Sequence, residues 1–183
     1  MRRTFQHHQR MPTLFFLIAL VPWFFHLPIA DPAHAASSIT QTTGAGNLGT
    51  TVTQNGNVYG ITGGTQVGNN LYHSFAQFNV ASGNIAQYQT TNLVPNASMQ
   101  NILSRVTGGS PSSIFGAIDS VTYYPNANFF FLNPAGILFG PNAAINVGGM
   151  VAFTTADYIR LANGGRFNAN PNTLPADNLI SAN

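Results

Sequence analysis

The stretch Phe129–Thr155, "FFFLNPAGILFGPNAAINVGGMVAFTT", holds four short apolar clusters parted by Asn-Pro, Gly-Pro-Asn and Gly-Gly, with no charged residue. Val, Ile and Phe between such breakers are strand chemistry. The clusters predict strands at Phe129–Leu132, Ile137–Phe139, Ile145–Val147 and Val151–Phe153. Strands of three or four residues are shorter than the usual five or six. They suit a solenoid in which each coil gives two or three short strands to parallel sheets. Phe131 and Phe153 stand about 22 residues apart, within the roughly 20–45 residues of one structural repeat. The corners carry Gly for positive φ, Pro for a fixed φ, and Asn, which tolerates the left-handed region. Asn residues in register on stacked coils can also hydrogen-bond into ladders. On periodicity alone, a β-sandwich with Asn-rich loops stays open as the alternative.

The same pattern continues upstream. In "GTTVTQNGNVYGITGG" an Asn-Gly within Gln54-Asn55-Gly56-Asn57 predicts a hairpin turn. In "NLYHSFAQFNV", Leu71, His73 and Phe75 share one parity and the phase shifts between Ala76 and Phe78. "IFGAIDSV" and "ANFFFLN" read as two more strands. Helix formers are scarce and Gly, Asn, Pro and Thr recur every few residues. The exception is Ala97–Val106, "ASMQNILSRV", where Met99, Ile102, Leu103 and Val106 fit one side of a short helix, or a strand after a turn.

Residues 1–35 have a different character. Arg2, Arg3 and Arg10 precede the apolar "TLFFLIAL" and "VPWFFHL", and Ala33-His34-Ala35 is a small-x-small cleavage site. Pro12, Pro22, Pro28 and His26 interrupt the run, which speaks for a signal peptide over a membrane anchor. Arg2-Arg3 faintly resembles a twin-arginine signal, but the strongly apolar core after it favours the general secretion machinery and export of an unfolded chain.

Beyond residue 35 the chain keeps Arg105, Arg160 and Arg166 against Asp119, Asp157 and Asp177, with no Lys, Glu or Cys. The formal charge of that part is zero, which gives no argument for a nucleic-acid partner. Without cysteine there is neither a disulfide framework nor a thiolate metal site. Burial and hydrogen bonding must hold the domain, and about 150 residues suffice to remove roughly two thirds of the unfolded surface from water.

The same poverty points away from catalysis. Asp119, Asp157 and Asp177 stand alone in "AIDSV", "TADYI" and "PADNL", none of which resembles a calcium loop. His73 lies among aromatics with no second histidine after residue 35, so a packed or carbonyl-bonded histidine is expected. Arg105 is expected to tie down loop carbonyls or to pair with Asp119. The glycine-rich "NGNVYGITGG" and "RVTGGSP" lack the Gly-Lys-Ser/Thr of a phosphate loop.

"LYHSFAQFNV", Leu71–Val80, together with the opening stretch, resembles the N-terminal secretion domain of filamentous-haemagglutinin-like exoproteins of two-partner secretion. In particular it is similar to the haemagglutination-activity domains of cyanobacterial members, from about Ile39 to the end. The family's Asn-Pro-Asn-Gly-Ile motif falls on Asn133, Pro134, Ala135, Gly136 and Ile137, with Ala135 in place of the second Asn. Its His-x-Phe-x-x-Phe-Asn-Val pattern falls on His73, Phe75, Phe78, Asn79 and Val80. A second family motif, Asn-Pro-Asn-Leu, has only near misses in "NLVPNAS" and "NANPNTL".

The resemblance implies an all-β fold, a right-handed parallel β-helix with an N-terminal cap and a small extrahelical β-sheet, over residues 36–183. It implies a non-enzymatic secretion domain without cofactor or metal. Such a domain is recognised in the periplasm by the POTRA domains of an outer-membrane transporter of the two-partner type. It reaches the cell surface or medium, where its folding nucleates the β-helix of a downstream passenger. The end at "PADNLISAN" lacks a capping signal, so a passenger is expected to be missing, and any host or surface glycan would be met through it. Strand addition between Thr50 and Val80, testable at Val52 and Val58, is one expected mode of recognition. A surface adhesin or carbohydrate-binding β-solenoid is the competing function, and exposed aromatic rows, first of all Tyr123 and Tyr124, would favour it.

Overall fold

The computed structural model describes residues 36–162, 164–173 and 176–179; the expected signal peptide at 1–35 lies outside them. Fifteen strands and no helix occur among the described residues. Three parallel sheets run along the molecule. The first is built from β5 (Asn70–Asn79), β7 (Asn101–Val106), β10 (Asn128–Leu132) and β13 (Val151–Thr154), each paired in parallel with the next. The second stacks β3 (Val58–Gly63), β6 (Ile85–Tyr88), β9 (Ala117–Asp119) and β12 (Ala144–Asn146) in the same way. The third consists of β8 (Ser112–Ile114) and β11 (Ile137–Phe139), extended by a bridge from Val80 to Ile114. The chain visits the second, first and third sheets in turn, which makes a β-solenoid of about three coils and rules out the sandwich.

The register confirms the short repeat: Phe131 pairs with Phe153. The coils are unequal, however. The step from Asn70 to Asn101 is 31 residues, from Asn101 to Asn128 is 27, and from Asn128 to Met150 is 22. The excess lies in the corners, above all in residues 89–100 between β6 and β7. Ala97–Val106 is resolved in favour of the strand. A one-sided helix does not form because both faces of β7 are buried, Ile102 in the solenoid and Leu103 outside it.

At the N-terminal end the first coil is closed by antiparallel strands. β2 (Thr50–Asn55) pairs with β3, while β1 (Ser38–Gln41) and β4 (Thr65–Val67) share the remaining edge of β5. The β2–β3 hairpin forms where Asn-Gly predicts one. Asn55 pairs with Val58, so the loop residues are Gly56 and Asn57. This is the expected N-terminal cap. At the other end, β14 (Tyr158–Arg160) and β15 (Arg166–Asn168) form an antiparallel pair outside the coils, the small extra sheet.

Two apolar cores result. Inside the solenoid, Leu71, Ile102 and Phe129 stack in one row, and Tyr59, Ala86 and Ile118 face them from the second sheet. Each buried Phe or Ile contributes about 1.5–3 kcal/mol. A second core covers the outer face of the first sheet, where Tyr72, Leu103 and Leu132 pack beneath Leu161 and Phe167 of the segment carrying β14 and β15. Coverage of both faces explains why Asn70 to Phe75 is buried without interruption.

Candidate functional site

The two family-like motifs lie at one end of the first sheet, on the first and third corners of the stack, with the β7–β8 corner between them. The upstream motif is the second half of β5. His73, Phe75 and Phe78 are all buried, although 75 and 78 would point to opposite faces of a regular strand. The pairing with β1 shows how both turn inward: Thr40 faces Gln77 while Gln41 faces Phe75, leaving Ala76 as the extra residue of a β-bulge. The phase shift in the sequence is this bulge. The Phe75 and Phe78 rings then meet edge to face at 4.9 Å, and Phe78 reaches Phe131 at 4.8 Å.

His73 sits in the interior row with Ser104 and Phe131. Its ring stacks on Phe75 at 6.1 Å and meets the Tyr88 ring edge-on at 5.3 Å. Nδ1 shares a hydrogen bond with Thr50 Oγ1 at 3.2 Å, and Nε2 has no partner among the described residues. Burial lowers the imidazole pKa from 6.5 to about 3, so the ring is neutral at neutral pH. This is the aromatic-packed histidine expected, with a hydroxyl in place of the carbonyl.

The downstream motif is the corner from β10 to β11. Asn133 is buried, and its side chain works in two directions. Nδ2 donates to Ser110 O at 3.0 Å and Ser112 Oγ at 2.9 Å on the preceding coil, while Oδ1 accepts from Ala135 N at 3.0 Å. Gly136 N donates to Asn133 O at 3.1 Å to close a turn with Pro134 in its second position. Gly136 has φ 118°, a conformation that strains any side chain. Ser112 N donates to Gly136 O, so the corner is also bonded to the coil before it. Ile137 packs, half-buried, against the interior core. Only Pro134 and Ala135 are exposed in the corner.

β8 joins the two motifs. Ser113 N donates to Asn79 Oδ1 at 2.9 Å from the coil before, and Ser112 Oγ accepts from Asn133 of the coil after. The two motifs thus form one contiguous block of packing and corner bonds. Most of its side chains face inward, so in the folded domain a partner could touch Pro134 and Ala135 but not His73, Phe75, Phe78 or Asn133.

The acidic residues do not assemble. Asp119 accepts from Gln87 Nε2 at 2.8 Å and Thr122 Oγ1 at 2.7 Å on the second sheet, Asp157 is exposed, and Asp177 lies on the outer face of the first sheet. Asp177, not Asp119, is the carboxylate that pairs with Arg105, at 2.5 Å; β7 and β9 belong to different sheets. The other half of that expectation holds, since Arg105 also donates to the carbonyls of Asn168 and Gly46. Tyr124 is buried with its hydroxyl on Gln89 O, and Tyr123 packs half-buried on the core. They form no exposed aromatic row.

Sequence reading missed the Asn ladder in its particulars. Asn101 Nδ2 donates to Asn70 Oδ1 at 2.7 Å, Asn128 Nδ2 donates to Asn101 Oδ1 at 2.9 Å, and Met150 N donates to Asn128 Oδ1 at 2.8 Å. An Asn directly before each of the first three apolar runs of the first sheet was the available signal.

A solenoid capped at its N-terminal end, with both motifs packed at one row of corners, agrees with the architecture that the resemblance implies. No curated protein matches the chain. The family model for the TPS secretion domain matches residues 37–181, and the chain belongs to that family.

Proposed function

We propose that this domain, which membership of the family makes a secretion-targeting part of a two-partner exoprotein, is recognised by the POTRA domains of an outer-membrane transporter and then nucleates β-helix folding outside. The unequal treatment of the two solenoid ends carries the reading. The first coil is covered by antiparallel β1, β2 and β4. Among the described residues, β11, β12 and β13 each pair on one side only. Ile145, Val147 and Phe153 of the interior core lie at that open end, half-buried. A further coil placed there would find strand edges and apolar rows already in register, whereas at the capped end β1 and β4 cover the edge of β5.

Recognition by strand addition fits β2. Among the described residues it ends the second sheet and pairs only with β3, which leaves its other edge open to a partner strand. Val58, by contrast, lies in β3 between β2 and β6, so a change there tests folding more than recognition. Successive N–H groups of a strand point to alternate edges, so one of Val52 and Thr53 presents its N–H outward. Proline at that position removes a donor to the partner and leaves the β2–β3 ladder intact. The expected result is loss of binding to isolated POTRA domains for one of Val52→Pro and Thr53→Pro, with the β spectrum unchanged. Undiminished binding by both folded variants would exclude strand addition at β2, and no binding by the wild-type chain would contradict POTRA recognition itself.

The adhesin or glycan-binding reading gains no support at Tyr123 and Tyr124, the positions that would have favoured it.

A further inference from the structure

Arg105 lies on β7 with its side chain on the outer face of the first sheet, and that side chain is fully buried. Its partners come from three segments far apart in sequence. Nε donates to Ser74 Oγ at 3.1 Å on the neighbouring strand. Nη2 donates to Gly46 O at 3.0 Å in the N-terminal cap. Nη1 donates to Asn168 O at 2.8 Å and to Asp177 at 2.5 Å, both in the C-terminal strap that begins with β14. The guanidinium also lies over the Phe167 ring at 5.0 Å. Asp177 in turn accepts from Asn168 N at 2.8 Å.

Cap and strap also touch each other around this group. A methyl group on Gly46 would stand 2.4 Å from Pro171 and 3.2 Å from Arg105 Nη2. Leu48 of the cap and Leu179 of the strap share the second core. Without the strap, Arg105 loses its counter-charge, its stacking ring and one carbonyl, and the apolar row Tyr72–Leu103–Phe130 loses its cover. Burying the cap loop against an unpaired guanidinium is strongly unfavourable. The cap therefore cannot close fully over Arg105 before the strap arrives, and the strap docks poorly on an open cap.

We propose that Arg105 is a latch that makes closure of the N-terminal cap and docking of the C-terminal strap one cooperative step, completed only when Asp177 has reached the coil stack. Its consequence for export rests on the secretion reading above. A chain in transit whose strap is not yet beside Arg105 keeps its cap loose and its outer face open, and so does not finish folding early.

Hydrogen exchange on the full chain tests the latch without any transporter, so failed export and a failed latch are separate results. Asp177→Asn removes the counter-charge with little change of shape. Gly46→Ala wedges the cap away from Pro171 and strains a residue at φ 81°. Coupling is reciprocal. Each variant is expected to speed exchange about tenfold or more both in the cap, 44–50, and in the strap, 158–169, while β10 stays protected. Loosening confined to the mutated segment, or no change in either, would overturn the proposal. Should a variant also lose protection at β10, the wild-type chain at low urea decides: a single opening free energy for cap and strap supports the latch, and two distinct ones overturn it.

Discussion

His73 shows how a single residue can be fixed by its surroundings and still leave a measurable trace. The ring fills the interior row beside Phe75 and Tyr88, and its neutral form is enforced by burial that lowers the pKa to about 3. In the unfolded chain it titrates near 6.5. Between those values the unfolded state binds a proton that the folded state refuses, so stability is fully present above about pH 6.5 and declines as pH falls toward 3. From pH 7 to pH 5 the decline attributable to this residue is about 2 kcal/mol. Urea unfolding at a series of pH values should show it, and His73→Gln should flatten the curve over that range. No other histidine lies beyond residue 35, so an equal slope in the variant would mean that the pH dependence has another source. Asn133 is fixed in a comparable way by three side-chain hydrogen bonds. That makes its motif a corner first, and leaves only Pro134 and Ala135 for contact.

At the scale of the elements, vertical alignment does most of the work. Asn70, Asn101 and Asn128 stand one above another and continue into Met150 N. Asn101 is the middle rung, and replacing it by Ala leaves a carbonyl below and an amide above without partners. The expected loss is about 2–4 kcal/mol in unfolding free energy, larger than for Asn126→Ala, whose single side-chain bond to Ala97 O is exposed. Equal effects at the two positions would show that the ladder adds nothing beyond one ordinary bond. The element scale is also where the sequence was most readable. Breakers in the opening stretch put the strand ends within a residue of their places, and the parity slip at Ala76 located the bulge. The register was harder, because steps of 31, 27 and 22 residues follow no fixed period. Arg105 and Asp177 were out of reach for a physical reason. They are 72 residues apart, and they meet on an outer face that is buried only because an extra segment folds back over it.

At the scale of the whole molecule, the two ends of the solenoid are opposites. One is closed by antiparallel strands, and the other presents Leu138, Phe139, Met150 and Val151 partly exposed near unpaired strand edges. With formal charge zero beyond residue 35, the chain has little electrostatic means of holding a partner at a distance. Backbone edges and apolar rows are what it offers. That is consistent with the proposal that the domain is recognised at a strand edge and then templates further coils. The measurement that bears most directly on this account is secretion itself: the chain is expressed with and without its outer-membrane transporter, and medium and periplasm are compared. Accumulation in the medium only when the transporter is present is the predicted result. Equal amounts in the medium with and without the transporter would contradict it.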